Sequence, residues 1–274
     1  MSTHEELKAK AAATYNAAAD CFDSPDNTFW ERFGRATVDR LGLTPGVQVL
    51  DVCAGSGASA IPAAEAVGPT GRVVAVDIAD GLLALLERKV KARGLTNVAV
   101  RSQDVLTLGS MTETFDAVVC VFGIFFLADM VEGVRQLWGR VRPGGQMAIT
   151  TWGPHAFEPM NGAFWSAVRD ERPDLYRQFA PWDLITTPQA LRQLLRDGGV
   201  ADPVVDAEDA THPLPNPESW WALVMGSGYR GTIDQLDDDA RARVRAANLQ
   251  LMASRSISEI TANIIYARAR KPHA

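Results

Sequence analysis

Cysteine is scarce in this chain of 274 residues: Cys21, Cys53 and Cys120 are scattered and nowhere spaced as C-x-x-C. That excludes a disulfide framework and a structural zinc site, and the three thiols are expected to be reduced. Only four histidines are present, none in an H-x-x-x-H spacing, so no metal site is expected. No apolar run reaches the roughly 20 residues needed to span a bilayer, and the opening MSTHEELKAKAAA lacks the apolar core of a secretory signal. A soluble, cytoplasmic protein is expected. Positive charge is also in deficit: 27 Lys and Arg stand against 33 Asp and Glu, a net charge of −6. With no basic stripe among the aromatics, a phosphate backbone would be repelled, and nucleic acid is excluded as a partner.

What is present is an ordinary globular balance, 47% apolar and 22% charged, in a chain long enough for one sizeable α/β core and a smaller covering element. The alanine-rich opening predicts a helix to about Ala19, and Phe29, Phe33, Val38 and Leu41 mark one face of a second helix. From Gly46 to Trp152, apolar runs alternate with helical patterns: VQVLDV, RVVAVDI, NVAVRS, FDAVVCVF and GQMAITTW are separated by GASAIPAAEAV, ADGLLALLERKVKARG and ADMVEGVRQLWGRVRPGG. Such alternation predicts parallel strands joined by crossover helices on both sheet faces. After Trp152 the pattern loosens into an aromatic- and proline-rich insertion, and Thr187-Pro188 then opens another helix. A strand near Val204 and a last one in NIIYARA bring the strands to seven. The expected architecture is α/β, doubly wound and mostly parallel, with a helical lid over residues 1–42, a ligand-binding core over 43–153, and substrate-covering insertions plus the last strands over 154–274.

Chemistry concentrates at the end of the first strand, Val49-Leu50-Asp51-Val52-Cys53-Ala54-Gly55-Ser56-Gly57. Small residues allow close backbone approach to a ligand, and the following helix N-terminus presents amide N–H groups, so a nucleotide-like ligand is implied. The run Gly55 to Ala60 also satisfies G-x-G-x-x-A, and Asp77 stands where an NAD ribose acid would. Taken alone, the glycine turn leaves both ligands open. Asp51 weighs against pyrophosphate, because a carboxylate beside it is electrostatically awkward. The ammonium and sulfonium of S-adenosylmethionine would welcome that charge.

Five segments in order resemble the class I S-adenosylmethionine-dependent methyltransferases, especially the ubiquinone and menaquinone C-methyltransferase type and its small-molecule relatives. These are Asp51 to Gly57, with Cys53 where glycine is usual; Val73 to Ile78; Ser102 to Val105; Phe115 to Gly123; and Val141 to Gly145. The resemblance covers about Tyr15 to Trp152 and implies a Rossmann-like, seven-stranded fold with S-adenosyl-L-methionine as cofactor. It implies cofactor contacts at Tyr15, Asp51, Cys53, Ala54, Gly55, Gly57, Asp77, Ile78, Asp104, Val105, Val121 and Phe122. In that family the acid ending the second strand binds both ribose hydroxyls, and the acid in the third motif accepts from the adenine amino group. Tyr15 and Phe22 resemble the family's N-terminal segment that closes over the cofactor.

His155 follows the fifth strand and so falls on the ligand side of an open parallel sheet, where it is a candidate general base. Phe122, Phe125, Trp152 and Trp221 are candidates for a flat, apolar acceptor pocket, while Asp116, at the opposite end of its strand, reads as structural. The expected activity is methyl transfer to a small, largely apolar or aromatic acceptor, and the chain is compatible with a homodimer. Two alternatives stay open. A nicotinamide-dependent oxidoreductase is disfavoured by Asp51 and by the lack of a Tyr-x-x-x-Lys pair, and an inactive cofactor-binding regulatory protein would lack an apolar pocket.

Overall fold

The computed structural model describes residues 4–110 and 113–273. Five parallel strands follow the five apolar runs: β1 (Gln48–Val52), β2 (Arg72–Asp77), β3 (Val98–Ser102), β4 (Phe115–Val121) and β5 (Val141–Trp152). Later in the chain come β6 (Val204–Glu208), a two-stranded ribbon of β7 (Thr211–Pro213) and β8 (Glu259–Thr261), and β9 (Ile264–Arg270). The main sheet has seven strands in the order β3-β2-β1-β4-β5-β9-β6, and β9 runs antiparallel between β5 and β6. The strand order reverses between β1 and β4, which places a crevice at their carboxyl ends.

Side-chain alternation explains why the central runs read as continuously apolar. Val49, Val73, Ala117 and Ala148 face one core layer with Ile61, Val67 and Leu86, whereas Leu50, Val74, Val118 and Met147 face the other with Val134 and Leu137. A strand buried on both faces leaves no polar positions to betray its period. The helices that supply these layers are α1 (His4–Phe22), α2 (Phe29–Asp39), α3 (Ala60–Val67), α4 (Asp80–Ala92) and α5 (Met130–Arg140). Gly34 lets α2 lie against the turn before α3, since a Cβ there would stand 2.3 Å from the Ala58 carbonyl oxygen.

The segment after β5 carries more regular structure than its prolines suggest. It contains α6 (Met160–Glu171), and α7 (Pro188–Asp197) follows with Thr187 accepting from the Ala190 N–H, the cap that its sequence predicts. Then come α8 (Pro217–Met225), the short α9 (Arg230–Ile233) and α10 (Asp238–Arg255), the last capped by Asp237. The first helix lies on α4, α8 and α9, held by Asn16 Oδ1 accepting from the Gly81 N–H at 2.7 Å and by an Arg230–Asp20 ion pair. Asp116 accepts from the Gln48 N–H and pairs with Arg142 at the far end of the sheet, a structural role.

Candidate active site

A cavity of about 1090 Å³ opens at the carboxyl ends of β1, β2, β4 and β5, where the strand order reverses. Three of these strands end in left-handed backbone at a residue that has a side chain. Cys53 (φ 57°) follows β1, Phe122 (φ 51°) follows β4, and His155 (φ 61°) and Phe157 (φ 64°) follow β5. Such conformations cost roughly 1–3 kcal/mol each and persist where the surroundings hold them. All four residues line the cavity. Cys53 thus holds a backbone conformation that glycine would enter freely. The β4 turn passes so close that a Cβ on Gly123 would stand 2.4 Å from that of Cys53.

Asp77, at the end of β2, is the best-anchored carboxylate in the cavity. Its Oδ1 accepts from the Ile78 and Ala79 N–H groups at 2.7 and 2.9 Å, and its Oδ2 accepts from the Gly55 N–H at 2.8 Å. Burial raises its pKa against the opposing pull of these three donors. These donors take about three of the four acceptor sites of a carboxylate, which leaves Oδ2 able to accept once more from a ligand. Asp104 lies past β3, also in the cavity, with Oδ1 accepting from the Leu106 N–H and Oδ2 in an ion pair with Lys8 of α1 at 3.2 Å.

Of the sequence-derived cofactor residues, Tyr15, Cys53, Ala54, Gly55, Asp77, Ile78, Asp104, Val105, Val121 and Phe122 line this cavity, as does Phe22. Asp51 does not. It is fully buried beneath the turn and accepts from Ser59 Oγ through both oxygens, at 3.0 and 2.8 Å. The expected direct contact with a cationic ligand end is therefore corrected to support of the turn before α3. Burial pushes the Asp51 carboxyl up to about 7. Gly57 is also displaced, lining a separate shallow pocket of about 210 Å³ on the other side of the turn. Its φ of +91° and the nearness of Leu86, 2.3 Å from where a Cβ would be, give it a packing role.

Aromatic rings build the rest of the cavity. Phe122 and Trp152 stack at 4.0 Å, Tyr15 meets Phe126 edge-on, and Phe125 meets Trp182 edge-on. Phe122, Phe125 and Trp152 line the cavity, and His155 lies at the rim on an exposed loop. Trp221 does not line the cavity; it packs against the main core from α8, because the face of α8 that carries Trp220 turns inward to Asn248. Beyond α7 the chain reaches the cavity instead through Ser227, Gly228 and Tyr229. Glu158, Asn161 and Tyr229 are lining residues that the sequence reading missed. Only Glu158 carried a signal, three residues beyond His155 on the loop leaving β5. Among the described residues no group of three or more His, Cys, Asp or Glu could hold a metal, and no helix is long and apolar enough to cross a membrane.

The donor set fits S-adenosylmethionine. Asp77 retains acceptor capacity on Oδ2 for a ribose hydroxyl, Asp104 has the chemistry to accept from an amino group, and the glycine turn offers backbone without a charged side chain. A pyrophosphate would meet these acids as like charges.

Comparisons with known proteins agree with this geometry. The chain is 29% identical over 154 residues to the ubiquinone/menaquinone biosynthesis C-methyltransferase UbiE of Cronobacter sakazakii, covering 56% of this chain and 60% of the relative. It is 31% identical over 144 residues to the aklanonic acid methyltransferase DauC of a Streptomyces species, covering 53% of this chain and 66% of the relative. The match thus spans less than two thirds of the length of these relatives. In fold, the YcgJ protein of Bacillus subtilis superposes with a TM-score of 0.55 at 14% identity, over 89% of this chain and 100% of that one. The sequence model of the ubiE/COQ5 methyltransferase family matches residues 5–180, well over half of the chain, and the protein belongs to that family.

Proposed function

We propose that the protein is an S-adenosylmethionine-dependent methyltransferase acting on a small, largely apolar or aromatic acceptor. The observation that carries this is a single cavity in which two strand-end carboxylates, Asp77 and Asp104, stand beside the glycine turn and continue into an aromatic chamber behind β4 and β5. At about 1090 Å³ it reaches the upper end of the usual range for one ligand, roughly 300–1,000 Å³, and so suits a cofactor and an acceptor side by side.

When bound, S-adenosylmethionine supplies a methyl carbon on a cationic sulfur that departs as a neutral thioether. The chain's own contribution is alignment and exclusion of water, which is most of what such a displacement needs. Asp77 would accept from a ribose hydroxyl through Oδ2 and Asp104 from the adenine amino group, with Ile78 and Val105 as apolar walls. Cys53, Ala54 and Gly55 would bring backbone against the methionine part, and Val121 and Phe122 would floor the reacting end. Tyr15 and Phe22 would close the cofactor side to water. The acceptor would occupy the chamber bounded by Phe122, Phe125 and Trp152.

The proposal extends to a reducing, cytoplasmic setting, in which the free thiols Cys21, Cys53 and Cys120 are stable. Net charge disfavours a nucleic-acid acceptor, and a homodimer is retained as part of the proposal. Calorimetry against S-adenosylhomocysteine and NAD tests it: saturable binding of the first and none of the second is expected, and the reverse would overturn it.

A further inference from the structure

The loop leaving β5 places a carboxylate in the aromatic chamber. Phe157, in left-handed backbone, is anchored by its N–H donating to the Thr261 carbonyl at 2.8 Å and by packing against Phe29 and Trp152. Glu158 follows, part-buried and lining the cavity. Its Oε1 accepts from Asn161 Nδ2 at 3.1 Å and its Oε2 from the Gly162 N–H at 3.2 Å. Tyr229 Oη in turn donates to Asn161 Oδ1 at 2.7 Å. Burial pushes the Tyr229 phenol far above its ordinary value, so it remains a donor. The result is a one-way chain, Tyr229 to Asn161 to Glu158, that orients the carboxylate and ends on it.

Both Glu158 oxygens keep acceptor capacity for an incoming donor. Trp165 and Phe157, which line the same cavity, offer no acceptor of comparable strength. The ion pairs among the described residues leave Glu158 out, and Arg169, in the last turn of α6, lines the same cavity with its guanidinium 5.5 Å over the Tyr176 ring.

Resting on the methyltransferase proposal, we infer that Glu158, positioned by Asn161 and Tyr229, is the group that docks the acceptor's acidic O–H and receives its proton. The acceptor O–H bond breaks, a new O–H bond forms on a Glu158 oxygen, and the electron pair stays on the acceptor as the nucleophilic pair. The proton passes to water when product leaves. His155, on the exposed side of the same loop, is then a wall of the pocket.

Three probes of one shape test this on the full chain, with and without S-adenosylhomocysteine: 4-nitrophenol, 4-nitrotoluene and protonated 4-nitrobenzylamine. Neutral 4-nitrophenol is expected to bind at least about tenfold more tightly than 4-nitrotoluene, as a charge-assisted hydrogen bond allows. Its visible phenolate absorption should appear about one pH unit later when bound than when free, because a carboxylate opposes a second negative charge. Glu158→Gln should abolish the upward displacement and most of the preference while leaving S-adenosylhomocysteine affinity unchanged, and Tyr229→Phe should reduce both effects. Equal binding of phenol and toluene probes, no binding of either, preference for the ammonium probe, or a phenolate titration unaltered in Glu158→Gln would each overturn the inference. Loss of S-adenosylhomocysteine binding in the unmodified chain would instead sink the methyltransferase proposal, and the probe titration on the free chain would still decide the role of Glu158.

Discussion

Replacing Asp51 by Asn should make the protein more resistant to unfolding at alkaline than at acid pH, relative to the unmodified chain. Asp51 has no exposed surface, and burial raises its carboxyl from an unfolded value of about 3.9 to about 7 in the folded state. The folded state therefore holds a proton that the unfolded state has released, so the stability contributed by this group is full below about pH 4 and is lost as pH rises through 7. At 1.36 kcal/mol per pH unit the whole interval corresponds to about 4 kcal/mol, of which about 3 falls between pH 5 and pH 8. Asn keeps an acceptor for the Ser59 hydroxyl but does not titrate, so its advantage over Asp should grow by that amount across the interval. For a domain of this size each kcal/mol moves Tm by about 2–4 °C, and the Tm difference should grow by about 6 °C or more. Thermal melts of the ligand-free pair at pH 5 and pH 8 measure it, and all other titrating groups cancel in the difference. A growth under about 2 °C would mean that Asp51 titrates normally and that the buried Ser59 pairing does not hold an uncharged acid.

Asp77→Ala removes an acceptor held by three backbone N–H groups and should weaken S-adenosylhomocysteine binding by about 1.5–3 kcal/mol, measured by calorimetry on protein with unchanged circular dichroism. Unchanged affinity would remove Asp77 from the ribose site. Gly34→Ala should cost about 3 kcal/mol in urea unfolding, because the added Cβ meets the Ala58 backbone at 2.3 Å, and a neutral result would show that α2 can shift freely. Trp221→Ala should lower stability while leaving S-adenosylhomocysteine affinity within a few tenths of a kcal/mol, the scatter expected outside a contact set. A tenfold loss of affinity would instead place that tryptophan against the cofactor.

The strands, their parallel order and the ligand end of the sheet were legible because each depends on local pattern. A run buried on both faces is apolar throughout, a crossover helix needs a periodic stretch between runs, and a backbone that approaches a ligand needs small residues at the turn. Asp77 and Asp104 follow from that logic, since any residue ending a parallel strand faces the crevice. Asp51 shows its limit. One strand position separates a side chain that faces the ligand from one that faces the core, and the choice depends on where Ser59 and the start of α3 come to rest. Trp221 failed for a similar reason: which face of α8 turns inward is decided by Asn248 on α10, a partner 28 residues beyond Trp220. The chain from Tyr229 through Asn161 to Glu158 joins residues 68 and three positions apart, so no spacing rule could mark it. The sequence by itself determined the sheet, the turn and the acids that line the cavity, which are written in periodicity and local backbone demand. Only the tertiary structure decided which carboxylates lie open and what lines the acceptor chamber, because those depend on contacts between elements distant along the chain.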